Sequence, residues 1–340
     1  MIKFEKNTEL NTTMKNLMLS MISVNEYLSD VLDYTGKVLT SKREAELIEL
    51  LKKYNIPYDD LRYDISYLTE NPYYGNIKLE DVKTDTVWYE NEIIKKRTLM
   101  SMNFHKPVGK YLFHYHPLGY FDEDVYMPSL KEGKDKVWMS PAISEIDSMN
   151  DGYEAGHGNC LTLGLGIGVL PYLWLLKDEV KSVTIVEVNK DVIELFDKYI
   201  RPQFPTDKRL KIIHGDAFEY YNEEFLNQFD YVYIDFWEST DDGLDFYIKL
   251  MEKKVNLPNI GYWIEDSILH DVKYIITPYL YTLYEGRSIA DFISSLDRDS
   301  KEIAKKVNRY FKTRDDVVST EDELLTIIHD KDVLRKILAQ

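Results

Sequence analysis

Apolar positions recur at two different periods along this chain. Over residues 9–34, Leu10, Met14, Leu17, Met18, Met21, Ile22 and Leu28 fall three and four apart, which predicts a helix with one apolar face that stops at Gly36. Ser41 reads as the cap of a second helix reaching Tyr54, with Leu47, Leu50 and Leu51 on one side and Pro57 ending it. Glu70-Asn71-Pro72-Tyr73-Tyr74-Gly75 has the composition of a turn. The pattern then changes. Thr86 to Tyr89, Thr98 to Phe104 and Tyr111 to Tyr115 are rich in β-branched and aromatic residues, and predict a small antiparallel β unit. The charged run from Lys131 to Lys136 reads as a linker. Ser140-Pro141 reads as the start of a helix through Ile143, Ile146 and Met149.

From Cys160 onward the rhythm is regular. Short apolar runs at 160–163, 182–187, 210–214, 231–235 and 260–265 alternate with amphipathic stretches led by Leu173 and Leu176, by Val192 and Phe196, by Phe218 and Tyr221, and by Leu244 and Tyr247. Near-continuous apolar strands separated by helices predict a mostly parallel sheet covered on both faces. The expected fold is therefore a doubly wound α/β domain, preceded by a helical segment and the small β unit and followed by a helical tail. The expected boundaries are 1–70, 71–136, 137–285 and 286–340. In the tail, Ile289, Phe292, Ile293 and Leu296 form a stripe. Thr320 to Glu323 resembles a capping box ahead of Leu324. Both helical ends are assigned to packing or to contacts between copies in a homo-oligomer.

Charge narrows the partners. The 340 residues carry a formal net charge of -17, with a pI near 4.9. A nucleic acid and an anionic membrane are both poor partners for such a surface, whereas a cationic small molecule such as an amine suits it. A single cysteine rules out an intrachain disulfide and fits a reducing cytoplasm. The first residues show no signal-peptide pattern, and no apolar run approaches a membrane span. His114 and His116 share a strand face but have no third ligand nearby in sequence, so no metal site is expected.

The chemistry gathers around Leu163-Gly164-Leu165-Gly166-Ile167-Gly168-Val169. Three glycines between a buried strand and a helix let a ligand approach bare backbone, beside the unpaired N–H groups of a helix start. The dinucleotide-binding pattern needs its third glycine where Val169 stands, so a pyrophosphate fits poorly. Three acids follow at successive strand ends. Glu187 can accept the hydroxyls of a ribose. Asp216, with the Ala217 N–H, can meet an adenine. Asp235 closes the fourth strand. This acid row suits a ligand bearing a sulfonium and an ammonium better than a diphosphate.

Residues 159–250 resemble the class I S-adenosylmethionine-dependent methyltransferase fold, and within it the spermidine synthase-like branch. The resemblance rests on Leu163 to Gly168, on Val186-Glu187-Val188-Asn189-Lys190-Asp191-Val192-Ile193, and on Ile213-His214-Gly215-Asp216-Ala217-Phe218. It implies a Rossmann-like domain in which Gly164, Gly166 and Gly168 pass under the methionine part of S-adenosylmethionine. Glu187 would hold its ribose, and Asp216 and Ala217 its adenine. Aminopropyltransferases of that branch carry an Asp in the glycine loop, where this chain has Ile167. They carry Asp-Ser-x-Asp-Pro after the fourth strand, where this chain has Asp235-Phe236-Trp237-Glu238-Ser239. The Tyr-His pair expected ahead of the loop is also missing from 140–150. The expected activity is thus methyl transfer to a small-molecule acceptor, with Asp235 positioning a ligand amine and Glu238 as the base. Aminopropyl transfer and non-catalytic cofactor binding are the alternatives, and an NAD-dependent oxidoreductase is a distant fourth reading.

Overall fold

The computed structural model describes residues 1–58, 60–133, 136–139, 143–205 and 209–340. Helix α1 (Thr8–Leu32) buries Leu10, Met14, Leu17, Val24, Tyr27 and Val31. The apolar stripe keeps the helical period of about 3.6, which carries it past Ile22; that residue is 55% exposed. Helix α2 (Ser41–Lys53) is capped by Thr40 rather than Ser41, because the Thr40 hydroxyl accepts from the Arg43 N–H. Helix α3 (Pro72–Asn76) turns the Asn71-Pro72 stretch expected to be a plain turn into one short helical piece, capped by the Asn71 side chain.

The three expected stretches hold strands Val87–Ile94, Met100–Ser101 and His114–Tyr115, but these fall in three separate sheets. Strands β1 (Val82–Lys83) and β2 (Val87–Ile94) start this part of the chain. Next come two short strands, β3 (Lys106–Pro107) and β4 (His114–Tyr115), which pair only with each other. Strands β5 (Val125–Glu132) and β6 (Lys136–Met139) then complete a four-stranded antiparallel sheet in the order β6-β5-β2-β1. Of the charged run read as a linker, Lys131 and Glu132 close β5 and Lys136 opens β6. Lys131 is buried on β5 and sits 3.0 Å from both Glu90 and Glu92 across the sheet, so its charge is neutralised within the fold. The Ser140-Pro141 cap lies outside the described residues. Helix α4 (Ile143–Ser148) follows.

Five strands make the central parallel sheet: β7 (Gly158–Leu163), β8 (Val180–Glu187), β9 (Leu210–His214), β10 (Tyr231–Ile234) and β11 (Ile260–Tyr262). Their order is β9-β8-β7-β10-β11, with every neighbouring pair parallel. The chain reverses its direction of travel across the sheet beside β7, which makes the crevice between β7 and β10 the switch point where such folds bind ligands. Helix α5 (Val169–Leu176) leads from β7 to β8, and α6 (Thr240–Glu252) from β10 to β11. This is the doubly wound architecture that the alternating pattern predicts.

Strand β11 ends earlier than expected. Ile264 adopts a left-handed conformation, with φ of 48°, and Glu265 opens helix α7 (Glu265–Tyr284) instead of closing a strand. Helices α8 (Arg298–Lys312), α9 (Glu321–His329) and α10 (Lys331–Leu338) complete the tail. The tail packs on the α/β core. Val307, Phe311, Leu324, Ile328, Leu334 and Ile337 are wholly buried in the same apolar cluster as Leu161, Val232 and Leu10. Arg335 of α10 bonds both oxygens of the buried Glu265 at 2.9 Å, and the Tyr247 hydroxyl donates to the same carboxylate. Removing one partner of such a buried ion pair is strongly destabilising. Among the described residues, no helix is long and apolar enough to cross a membrane.

Candidate active site

A cavity of about 310 Å³ opens at the carboxyl ends of β7, β8 and β10. Gly164, Gly166, Glu187, Asp216, Ala217, Asp235 and Glu238 all line it. Gly168 does not line it. Its φ is +77°, it caps α5, and a Cβ there would come 2.6 Å from the Phe196 ring. That glycine makes room for packing under the helix. Gly164 is more constrained: at φ of +110°, a Cβ would lie 1.7 Å from the carbonyl oxygen of Asp235. The glycine loop and the end of β10 thus touch backbone to backbone. At Gly166 a Cβ would meet the Met139 thioether at 2.6 Å, so the β unit reaches over the loop through β6.

Each acid has its own setting. Glu187 is buried. One of its oxygens accepts the Asn189 N–H at 2.7 Å and the other accepts the Leu165 N–H at 3.1 Å, tying the glycine loop to the end of β8. Burial raises its pKa, and these backbone donors oppose the rise. Asp216 is exposed, and its carboxylate accepts the Phe218 N–H at 2.8 Å as the cap of helix Ala217–Tyr220. Asp235 follows β10, and burial pushes its carboxyl up to about 7. Glu238 is exposed at the mouth, where its N–H donates to Asp242 at 2.8 Å.

The structure adds Glu145 from α4 to this group. Burial, and then the charge of Asp235, hold its carboxyl well above the usual range, and its Oε2 is buried without a hydrogen-bond partner among the described residues. Two carboxyls thus share one cavity, as in sites that take a cation or hold a proton between them. The sequence offered only a weak signal for Glu145. It stands where the resemblance expects a Tyr-His pair, so the absence of that pair could have prompted a search of α4 for a substitute. Phe236, Trp237, Phe246 and Trp263 supply aromatic walls, and Trp237 is buried against Phe236 and Gly243. The Tyr73 hydroxyl of α3 donates to the Ile167 carbonyl at 2.5 Å, bracing the loop from outside the cavity.

A second cluster contradicts the expectation that His114 and His116 lack a third partner. The β3–β4 register pairs Lys106 with Tyr115 and so sets His105 across from His116. Ring nitrogens of His105, His114 and His116 all lie within 4.8 Å of one another.

Residues 161–254 match the spermine/spermidine synthase domain family, which agrees with the resemblance read from the sequence. The matched stretch runs from within β7 to just past α6, the part of the doubly wound parallel sheet that carries the cavity. Among solved structures it is similar to a spermidine synthase in complex with the transition state analogue AdoDATO. That similarity has 18% identity, covers 38% of this chain and 47% of the other, and has a TM-score of 0.27. For the spermidine synthase from Thermotoga maritima the values are 18% identity, 59% and 61% coverage, and a TM-score of 0.33. For a candidate SAM-dependent methyltransferase from Streptococcus mutans they are 14%, 44% and 42%, and 0.29. The chain therefore spans less than two thirds of each of these relatives. No curated protein matches the sequence.

Proposed function

We propose that the protein is an S-adenosylmethionine-dependent methyltransferase whose acceptor is a small molecule bearing an amine. The observation that carries this reading is the convergence of the glycine loop, Glu187, Asp216 and the Glu145–Asp235 pair on one cavity at the switch point of the sheet. The residues present fit the cofactor. Gly164 and Gly166 offer bare backbone, Glu187 stands at the end of β8 for ribose hydroxyls, and Asp216 with the Ala217 N–H would take the adenine. When bound, S-adenosylmethionine supplies a methyl group on a cationic sulfur.

The chain's own part is binding, alignment and proton handling. Glu187 and the loop fix one partner. Glu145 and Asp235 accept hydrogen bonds from the acceptor amine, and Asp235 takes its proton at a carboxylate oxygen. With its carboxyl near 7, Asp235 is matched to that step at neutral pH. The aromatic walls exclude water. Ile167 favours methyl over aminopropyl transfer: its side chain is wholly buried in the core, so the loop brings no carboxylate to hold an aminopropyl amine. One observation supports the second reading, aminopropyl transfer. Two carboxyls in one cavity also suit a diamine.

Product analysis separates them. The protein is incubated with S-adenosylmethionine, or with decarboxylated S-adenosylmethionine, against a panel of primary amines, diamines and polyamines. The expected products are S-adenosylhomocysteine and an acceptor heavier by one methyl group. Methylthioadenosine with an extended polyamine assigns the second reading instead. Tight binding of either cofactor form with no product from any acceptor assigns a non-catalytic binding protein.

A further inference from the structure

We infer that His105, His114 and His116 bind a divalent transition-metal ion, zinc first among them, at a site separate from the cavity. Three imidazoles from one two-stranded ribbon converge there. His114 and His116 lie two apart on β4 and its extension, and so share a face. His105 reaches the same face from the opposite strand. The ring centroids of His105 lie 4.1 Å from those of His114 and 4.9 Å from those of His116.

The nitrogens these rings present have nothing else to bond. His105 Nδ1, His114 Nε2 and His116 Nε2 are all buried without a hydrogen-bond partner among the described residues. Buried polar atoms are nearly always paired, so three orphans at one point call for a ligand. The tautomer suits a metal. His114 Nδ1 faces the Leu112 carbonyl at 3.5 Å, which leaves Nε2 with its lone pair; such second contacts orient metal-bound histidines. Neutral imidazole is the form that binds metal. An all-nitrogen donor set selects zinc and its neighbours over magnesium or calcium.

Two groups complete the surroundings. His270 of α7 packs 4.0 Å from the His114 ring and 5.1 Å from the His105 ring, and its Nε2 is also buried with no partner among the described residues. Lys273, one turn along, repels positive charge at the rings. Burial lowers its own pKa. The nitrogens lie within 4.8 Å of one another, against the roughly 3.3 Å implied by zinc–nitrogen bonds of about 2.0–2.1 Å in a tetrahedron. Binding requires the rings to rotate until their nitrogens reach that spacing. Loading the site would also fix Phe104, which neighbours His105 and packs edge-on, centroids 5.7 Å apart, against the cavity-lining Trp263.

The test uses the full chain without an affinity tag, stripped with a chelator and dialysed against zinc or cobalt(II). The expected result is about one zinc per chain, a raised melting temperature and the intense visible bands of four- or five-coordinate cobalt(II). His105→Gln and His116→Gln should each weaken zinc binding at least about tenfold in chelator competition. Binding of less than about 0.1 zinc per chain, or a weak six-coordinate cobalt spectrum, overturns the proposal on the unmodified protein alone. Full binding retained by a folded double variant also overturns it.

Discussion

Gly164→Ala is expected to abolish cofactor binding and to destabilise the chain by about 4 kcal/mol or more, a range reached only when core packing or backbone is disrupted. The reason is geometric. The new Cβ would sit 1.7 Å from the Asp235 carbonyl oxygen and 2.6 Å from its carbonyl carbon, both backbone atoms of the adjoining strand end. A φ of +110° is also essentially glycine-only territory. Relief requires β7 and β10 to separate at the point where the ligand would sit. Gly166→Ala is the companion variant. Its φ of +52° is accessible to other residues at modest cost, and its Cβ meets only the flexible Met139 side chain. That variant should fold with a loss of about 1–2 kcal/mol and bind the cofactor more weakly as Met139 shifts. Denaturant midpoints and cofactor titrations read both effects. An unchanged midpoint for Gly164→Ala would contradict the loop geometry.

The second large effect is expected at Asp235. Asp235→Asn should lower turnover by about 10²–10³-fold, the usual contribution of a positioned base. Wild-type kcat/KM should rise with pH up to about 7 and then level off, because the carboxyl must lose its proton to act. The residual activity of Asp235→Asn should lack that limb. Glu145→Gln should keep it, since the raised value of Asp235 comes from burial and not from its neighbour. Stability moves the opposite way. The native carboxyl keeps its proton up to about 7, while the unfolded chain releases it near 3.8. The native form thus binds more protons across that window, and its contribution is full below the lower value and lost as pH rises through the upper one. Asp235→Asn should therefore melt higher than wild type at pH 8 and no higher at pH 4.

The sheet was legible because its central strands are buried on both faces and read as short apolar runs, as in Ile185-Val186 and Tyr231-Val232-Tyr233-Ile234. The glycine loop and the strand-end acids were legible for the same reason: they punctuate those runs. Glu145 was not, because an acid between Ile143 and Ile146 on a helix reads as a solvated position until another element covers it. His105 escaped because register, not spacing, brings it to His116. Lys131 looked like part of a linker, since a charge run shows no sign of the partners waiting on the adjacent strand. Of the three glycines, only the coordinates distinguish Gly168, which serves packing, from Gly164, which shapes the cavity.

Calorimetric titration of the purified protein with S-adenosylmethionine tests the central claim most directly. One site per chain with micromolar affinity, weakened in a folded Glu187→Gln variant, is the result expected from a cofactor seated between the glycine loop and the end of β8. No heat at millimolar S-adenosylmethionine, and none with its decarboxylated form, would contradict the account.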